Sequence, residues 1–584
     1  MSLHRLAPGA AASRRVRRAL DALRQENDVP PAFPPDVLAE AEAVARAWEK
    51  LDWGEPNGPA TPEPATPGPA TPEPVTPGPA TPGPATPVPA APGDGGPAGR
   101  PPQDCAGFAP LPLPPQAVAR ARASLPGRVP TLDLRQLPLV TIDPPGSRDL
   151  DQAVHIERAS EGRRPERGAA NRATEPGGQA AFVVHYAIAS LATFVAPGGP
   201  LDREVRARAL TVYAPDFATA LHPPVLSEGA ASLLPGKDRP AYVWRFELDS
   251  AGQVIAMDLR HALVRSRAQL SYGQVQHALD TGESLEAAPE LPQLLREVGT
   301  LRRARELERG GISLRTPSQE VERVEGGYRL TYAATLPVEE WNAQISLLTG
   351  MEAARIMGQA GVGILRTLPP AGPEEIARLR LTARVLGLEW DQEQSYAQFV
   401  RGLSSHIPAH AAFLTATTTL FRGANYLPFG GPCPPLPVDD AAAITHGSIA
   451  APYAHVTAPL RRLVDRFGLE ICLAAVEGEE EPAWVLEALP ALPSQMSAGS
   501  RRARAVDSGA VAALEALVLA GQEGATFRAV LLEASRDSAQ GVAMLAEPAV
   551  IIPVSGSGLK AATEVEVRVT GVDVPARKVT AKVV

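Results

Sequence analysis

LPLVTIDPPGSRDLDQAVHI, residues 137–156, contains two apolar runs that are joined by the turn-forming sequence PPGSR. LVTID predicts a strand that ends at Asp143, and DLDQAVHI predicts a second strand, because both runs are bounded by turn residues. Reversal of the chain at PPGSR is expected to bring Asp143 beside Asp149 and Asp151. The fold is therefore predicted to include two joined strands that carry three neighbouring carboxylates.

The three carboxylates of this stretch need a partner or exposure to solvent. In a regular strand, Asp149 and Asp151 would project from one face and Gln152 from the other. Crowded carboxylates repel one another unless cations neutralise them, and hard oxygen ligands of this kind suit Mg2+. Acidic turns are also common on protein surfaces. Spacing alone therefore leaves two interpretations open, a Mg2+ site and a solvated acidic loop.

The main body of the chain, residues 103–520, changes from strand-like to helical patterns. AFVVHYAIA and AYVWRFELD, which are bounded by Gly, Pro or charged residues, predict strands in its first half. Long alanine- and leucine-rich runs, such as EEWNAQISLLTGMEAARIMGQAG, predict helices in its second half. Strands followed by helices indicate an α+β domain. Five short β-rich runs in residues 521–584 predict a separate, small OB-type β-barrel.

Residues 1–54 are predicted to form a helical N-terminal module. SRRVRRALDALRQEN and PPDVLAEAEAVARAWEKL place apolar residues at the three- and four-residue spacing of helices, and prolines separate them. Arginines cluster at the start of this module. Two interpretations remain open, a helix-turn-helix-like module that binds nucleic acid and helices that dock onto the rest of the chain.

A proline-rich linker is predicted for residues 55–102. PATPEPATPGPATPEPVTPGPATPGPATPVP repeats with a period of five residues and contains nothing that could form a core. Such a sequence favours an extended polyproline II conformation and a semi-rigid spacer. The alternative is a ligand for proline-binding modules, through which the linker would make protein contacts.

Composition excludes several classes of protein. The chain has 584 residues, 44% of them hydrophobic, and a net charge of -9, which argues against a uniformly basic protein that coats nucleic acid. Its three cysteines have no C-x-x-C spacing, so neither a disulfide framework nor a zinc site is expected. It contains no apolar run of about 18 residues, the length that a membrane helix needs. We expect a cytoplasmic protein with no membrane contact that acts as a monomer.

Four segments of the sequence occur in the order of a known family. They are TLDLRQLPLVTIDPPGSRDLDQAVHI, LTVYAPDFATALHPPVLSEGAASLLPGKDRPA, PVEEWNAQISLLTGMEAARIM and PYAHVTAPLRRLVDRFGLE, and they extend from about residue 131 to about residue 470. This arrangement resembles the ribonuclease II / ribonuclease R (RNB) family of 3'-to-5' exoribonucleases. The resemblance implies an RNB-type catalytic domain in residues 103–520.

The resemblance implies a catalytic site with Mg2+ as its cofactor. In the family, two Mg2+ ions at the acidic cluster activate water and stabilise the leaving oxygen when the last phosphodiester is hydrolysed. The implied metal ligands are Asp143, Asp149, Asp151 and Gln152, which stands where the family has a fourth aspartate. Asp151 is also expected to be catalytic, together with Arg461, whose guanidinium would stabilise the charge of the transition state.

Single-stranded RNA is the partner that the resemblance implies. Tyr213 occupies a position where family members stack a base, which is a sequence-tolerant way to hold RNA. His455, Thr457 and Arg462 are expected to support the site or contact the RNA backbone. The implied reaction is processive 3'-to-5' hydrolysis of single-stranded RNA to nucleoside 5'-monophosphates, in RNA degradation or processing.

Several positions depart from the family pattern. Gln152 brings no negative charge, which should lower the affinity for at least one ion. Because the family's fourth carboxylate is a ligand, the backbone around residue 152 must differ from a regular strand. An aromatic stacking residue is replaced by Val362, and Phe527 is the only aromatic residue of residues 521–584. The alternative is therefore a weakened or inactive RNB-type protein that binds RNA without hydrolysing it.

Overall fold

The computed structural model describes residues 10–56, 111–159, 179–312, 318–324, 327–333, 336–404, 407–417, 423–535, 539–545, 547–548 and 550–584. In these residues the chain forms an eight-stranded sheet with packed helices and a closed five-stranded barrel. The expected α+β class and the C-terminal barrel are confirmed.

Eight strands form the central sheet. They are β1 (Leu111–Pro112), β2 (Leu132–Asp133), β3 (Val140–Asp143), β4 (Gln152–Arg158), β5 (Phe182–Ala189), β6 (Asp238–Leu248), β7 (Val254–Arg265) and β8 (Ala268–Ser271). Their order is β1-β2-β7-β6-β5-β4-β3-β8, with parallel pairing only between β2 and β7 and between β3 and β8. β5 is buried along its whole length, which explains its continuous apolar sequence.

The acidic stretch reverses between β3 and β4, which pair antiparallel as expected. The predicted strand over DLDQAVHI is wrong at its start, because β4 begins at Gln152 and residues 147–151 are irregular. The Ser232 hydroxyl accepts from the Leu150 amide at 3.0 Å and donates to the Arg148 carbonyl at 2.6 Å. These bonds hold residues 148–150 against the loop before β6, whereas the Asp151 carbonyl accepts from the Ala189 amide of β5 at 2.9 Å.

Helices dominate the second half of the chain, as expected. After the N-terminal module, the described helices are α3 (Pro115–Ser124), α4 (Pro200–Arg208) and α5 (Tyr272–Thr281) in the first half, and α6 (Leu291–Glu308), α7 (Pro337–Ala360), α8 (Pro373–Val385), α9 (Tyr396–Arg401), α10 (Pro408–Thr417), α11 (Ala441–Ile444), α12 (Leu463–Glu477), α13 (Ala483–Ala488) and α14 (Leu492–Leu519) after them. Two further two-stranded antiparallel sheets are formed by β9 (Ser318–Val324) with β10 (Gly327–Ala333) and by β11 (Gly363–Thr367) with β12 (Asn425–Phe429). Within the described ranges, no helix has the length and apolar character needed to cross a bilayer.

The N-terminal helices α1 (Ala10–Glu26) and α2 (Pro35–Glu49) belong to two hydrophobic cores. Trp48 of α2 and the following Trp53 are buried in the core of the central sheet. The buried apolar residues of α1 pack instead with α14 and the barrel. Both helices therefore dock onto the rest of the chain, which agrees with the docking interpretation of residues 1–54.

The proline-rich repeat falls in residues 57–110, outside the described residues. Its two flanks lie side by side, since a β-carbon placed on Gly54 would come within 3.9 Å of the Pro114 ring. Arg120 also donates to the Asp52 carbonyl at 3.1 Å. The described residues on either side of residues 57–110 therefore lie close together. The spacer prediction for residues 55–102 remains a prediction.

The C-terminal barrel consists of β13 (Thr526–Ala534), β14 (Gln540–Leu545), β15 (Ile551–Ser555), β16 (Glu564–Asp573) and β17 (Lys578–Val583). It closes in the order β13-β14-β15-β17-β16, with β15 and β17 parallel. Alternate residues of its strands point inward, and they share one core with α1 and α14. The five predicted strands are thus all present.

Candidate active site

Three aspartates converge between β3 and β4. Asp143 ends β3, whereas Asp149 and Asp151 lie in the irregular segment that precedes β4. The charge of Asp149 contributes to raising the pKa of both Asp143 and Asp151, so the three carboxylates lie close enough to repel one another. The predicted clustering is therefore present, with a different local backbone.

The protein itself neutralises this cluster only in part. Burial raises the pKa of Asp143 to about 6, and Arg461 opposes the rise. Asp143 Oδ2 is buried with no hydrogen-bond partner among the described residues. Burial also raises the pKa of Asp151 to about 8, although Arg461 and the Leu460 amide favour its charged form. The neighbouring groups thus do not fully stabilise the charged forms of these carboxylates.

The donor chemistry of the cluster fits a hard divalent cation. All three groups are carboxylates, which Mg2+ prefers, and an unpaired buried oxygen is a suitable ligand. Among the described residues, no three His, Cys, Asp or Glu side chains form a ready-made metal site. Binding of a cation would therefore have to draw these carboxylates together, and the loss of their repulsion would favour that movement.

Gln152 is bonded at both ends of its side chain. Its Nε2 donates to the Thr457 carbonyl at 2.5 Å, and its Oε1 accepts from the Tyr186 hydroxyl at 2.5 Å. Ser346 of α7 bonds the same hydroxyl at 2.7 Å. The amide therefore joins β4, β5, α7 and the Thr457 segment. Its role as a metal ligand stays a prediction, and the structure shows a competing use for it.

A turn in residues 457–465, which ends in the first turn of α12, carries the two arginines. Asp465 is fully buried and accepts from the Ala458 amide at 2.6 Å. It also accepts from Arg462, at 2.9 Å from Nε and 2.8 Å from a terminal nitrogen. Although burial opposes it, this carboxylate raises the pKa of Arg462. Arg462 is therefore part of the framework that holds the turn.

Arg461, in contrast, points toward the acidic cluster. Its Nε lies 3.2 Å from Asp151 Oδ2, and its side chain is 46% exposed. The neighbouring Leu460 amide donates to the other oxygen of Asp151 at 2.8 Å. Consecutive residues of the turn thus hold both oxygens of Asp151, while much of the Arg461 guanidinium remains accessible.

Tyr213 stands at the entrance of the site with 51% of its surface exposed. Its hydroxyl donates to Asp149 Oδ2 at 3.3 Å. The loop that carries it is held by Arg24 of α1, which donates to Asp216 Oδ2 at 2.9 Å and lies 3.7 Å from the centre of the Phe217 ring. A docked N-terminal helix therefore positions the exposed tyrosine.

His455 and Thr457 lie behind the site. The His455 ring bonds the Tyr426 hydroxyl at 2.8 Å and packs edge-on against Tyr453. Burial and the nearby charge of Arg462 lower the pKa of His455 well below its usual value, so its ring is neutral. Thr457 is 3% exposed. Both positions favour support of the turn, and their contact with RNA stays a prediction.

Two expected departures also have structural counterparts. Val362 is buried in the main core and offers no exposed stacking surface. Phe527 of the barrel is partly buried against the barrel core. Arg528 beside it is exposed and pairs with Glu564 at 3.2 Å. Of the three positions considered for stacking, 213, 362 and 527, Tyr213 is therefore the one that places an exposed aromatic ring at the site.

Comparison with protein-family models shows which family this chain belongs to. A model described as the RNB domain matches residues 131–473, and one described as the RNase II-type exonuclease C-terminal S1 domain matches residues 525–584. This chain belongs to the RNB family. The first match contains the acidic cluster, Tyr213 and the arginine turn, and the second contains the barrel.

RNB relatives include proteins named as ribonucleases and one that is named inactive. Ribonuclease R of Escherichia coli is 31% identical over 377 residues, which are 60% of this chain and 42% of the relative. A protein of Arabidopsis thaliana named inactive exonuclease DIS3L2 is 27% identical over 378 residues, 60% of this chain and 33% of the relative. The chain thus spans less than half the length of these relatives.

A solved RNB structure shows the same fold. Mycoplasma genitalium RNase R in complex with ribose-methylated single-stranded RNA aligns with a TM-score of 0.65 and 17% identity. The alignment covers 77% of this chain and 71% of the other. At this identity, the match supports the fold and leaves the chemistry to the residues of this chain.

Sequence analysis missed four residues that organise the RNB site. They are Arg24, Tyr186, Ser346 and Asp465. Asp465 could have been found, because it follows the arginine pair in LRRLVD at helical spacing. The other three act across long sequence separations and carry no local signal.

Proposed function

We propose that this protein is a Mg2+-dependent 3'-to-5' exoribonuclease that processively hydrolyses single-stranded RNA to nucleoside 5'-monophosphates. The observation that carries the proposal is the contact of Arg461 with Asp151 inside a cluster of three carboxylates. Hydrolysis of a phosphodiester uses two positive charges, a metal cation and a guanidinium. The carboxylates would hold the cation, and Arg461 would supply the accessible guanidinium.

In this proposal, Asp143, Asp149 and Asp151 hold the metal. Mg2+ would supply activation of the attacking water and stabilisation of the leaving oxygen. The unpaired Oδ2 of Asp143 and the repulsion within the cluster support this assignment. Asp151 is the catalytic carboxylate, because residues 460 and 461 fix both of its oxygens.

Arg461 and Tyr213 act on the RNA itself. The accessible part of the Arg461 guanidinium would donate to phosphate oxygens as negative charge grows on them. The exposed ring of Tyr213 would stack on a base near the 3' end, which explains binding without sequence preference. Arg462, His455 and Thr457 would position the turn that presents Arg461.

The alternative is an RNB protein that binds RNA and does not hydrolyse it. Two observations favour this alternative: both ends of Gln152 are bonded to protein, and a relative of similar coverage is named inactive. With Gln152 engaged, the cluster has three carboxylates and no fourth charge. Affinity for a second ion would then be low.

The test uses 5'-labelled single-stranded RNA and purified protein with Mg2+, at enzyme concentrations up to micromolar. Progressive shortening from the 3' end, with release of nucleoside 5'-monophosphates, is expected from the wild-type protein. Asp151→Asn should abolish the shortening and retain RNA binding. Tight binding by the wild-type protein without any shortening would establish the alternative.

A further inference from the structure

We propose that a second subsite, which binds phosphate, lies between β12 and α14. It is a cavity of about 290 Å3. The polar residues of its wall are Arg366, Asn425, Tyr426, Ser497, Ser500 and Arg504. The inference rests in part on the proposed function, since the phosphate would belong to single-stranded RNA or to the mononucleotide released from it.

Charge is the first argument for this subsite. The charged residues of the wall are two arginines, and no carboxylate lines it. Where the structure describes side chains, neither Arg366 nor Arg504 forms an ion pair with an acid. Arg366 instead lies over the Tyr426 ring, at 4.6 Å from its centre. Arg366 is half-buried, shares the cavity with Arg504 and has no acidic partner, so the pair is suited to bind an anion.

Neutral donors complete the recognition of a phosphate group. Ser497 and Ser500 project from successive turns of α14, and Asn425 begins the facing strand. Hydroxyl and amide groups of this kind accompany arginines in contacts with phosphate oxygens. The cavity approaches the lower end of the size range of small-ligand sites, about 300 Å3, which is enough for one nucleotide phosphate.

The position of the cavity links it to the catalytic arginine. Leu210 lines the cavity and pairs through its backbone with Arg462. The next residue, Thr211, donates from its amide to the Arg461 carbonyl at 3.0 Å. On the opposite wall, the Tyr426 hydroxyl bonds His455. The cavity therefore adjoins the arginine turn, whereas the acidic cluster faces Arg461 itself.

Arg504 offers the cleanest test of the subsite, because it is exposed on α14 and its Nε bonds only the Ser500 carbonyl, at 3.2 Å, among the described residues. Arg504→Gln should therefore fold normally. Arg366→Gln is the second variant. Arg46→Gln is the matched control, because Arg46 is 63% exposed on α2 and pairs with Glu42, far from the cavity.

Two binding measurements distinguish the sources of the phosphate. In an Asp151→Asn background, the affinity for a labelled single-stranded oligoribonucleotide is measured against salt concentration. Loss of one backbone phosphate contact should reduce the salt slope by about 0.7. Binding of a nucleoside 5'-monophosphate to the same variants is measured by calorimetry.

A reduced RNA slope in Arg504→Gln and Arg366→Gln, with no change in Arg46→Gln, would assign the subsite to the RNA backbone. Weaker monophosphate binding with an unchanged RNA slope would assign it to the product. No change in either measurement would overturn the subsite. If these effects appear in a protein that never shortens RNA, the subsite stands and the proposed hydrolysis fails.

Discussion

The acidic segment, residues 143–151, and the arginine turn, residues 457–465, meet at Asp151. The buried polar groups of the two segments differ in how completely they are hydrogen-bonded. In the turn, Asp465 accepts three hydrogen bonds and is fully buried. In the acidic segment, Asp143 keeps a buried oxygen without a partner among the described residues. The arginine turn is therefore fully hydrogen-bonded at Asp465, whereas the acidic segment contains a carboxylate whose charge is not fully compensated.

This difference indicates that the arginine turn contributes mainly to stability and the acidic segment mainly to function. A buried charge that is paired and hydrogen-bonded holds its neighbours in one geometry, whereas an unpaired one costs folding free energy until a ligand arrives. The turn therefore fixes Arg461, and the acidic segment keeps charge available for a cation. Each prediction below acts on one of these two sides or on a surface outside them.

The largest effect is expected in the turn. Asp465→Ala would leave Arg462 buried without its partner and remove the acceptor of the Ala458 amide. The free energy of unfolding, measured with urea, should fall by about 3–5 kcal/mol. Asp507→Ala, at an exposed position on α14, is the control and should change it by less than about 0.5 kcal/mol. Similar values for the two variants would refute the framework role of Asp465.

The opposite sign is expected in the acidic segment. Asp143→Asn removes the charge of a carboxyl whose pKa burial raises to about 6 and whose Oδ2 has no hydrogen-bond partner among the described residues. Each pKa unit corresponds to about 1.4 kcal/mol, so the metal-free variant should be more stable than the wild-type protein by roughly 3 kcal/mol at neutral pH. Denaturation in a chelating buffer measures this gain. A loss of stability would show that the carboxylate is already satisfied.

A smaller change in stability is expected at Gln152, which joins the acidic segment to the arginine turn. Gln152→Asp removes the donor to the Thr457 carbonyl and shortens the side chain that reaches Tyr186. The free energy of unfolding should fall by about 1–3 kcal/mol. Because the side chain serves as a cross-link, the midpoint of a Mg2+ titration should stay unchanged. A midpoint shifted to lower Mg2+ would instead make residue 152 a metal ligand.

The smallest effect is expected at the barrel. Arg528 and Glu564 form an ion pair with exposed fractions of 81% and 70%. Arg528→Ala should change the free energy of unfolding by less than about 1 kcal/mol. If the barrel binds RNA, the same variant should reduce the salt slope of RNA affinity by about 0.7, and an unchanged slope would remove Arg528 from the interface.

The sequence predicted what depends on local pattern. Apolar runs bounded by Gly, Pro or charged residues predicted β5 and β6, helical spacing predicted α7 and α12, and five short runs predicted the barrel. It also brought Asp143, Asp149 and Asp151 together, because a turn between two strands reverses the chain. The family motif supplied Arg461 and Tyr213.

What the sequence did not predict depends on contacts between distant segments. Asp149 lies outside β4, because its neighbours Arg148 and Leu150 bond through their backbones to Ser232, about 80 residues away, instead of to a strand. The use of Gln152 as a cross-link depends on Thr457 and Tyr186. No local pattern encodes such partners, and one amide can serve equally well as a ligand or as a hydrogen-bonding bridge.

The central claim is that the acidic segment is completed by a cation. The most direct measurement is thermal unfolding of the wild-type protein and of Asp143→Asn over a Mg2+ titration at constant ionic strength. The wild-type protein should be stabilised by about 2.7 kcal/mol when free Mg2+ reaches 100 times its Kd, and the variant should gain much less. Equal stabilisation of both proteins, or none of the wild type, would contradict the account.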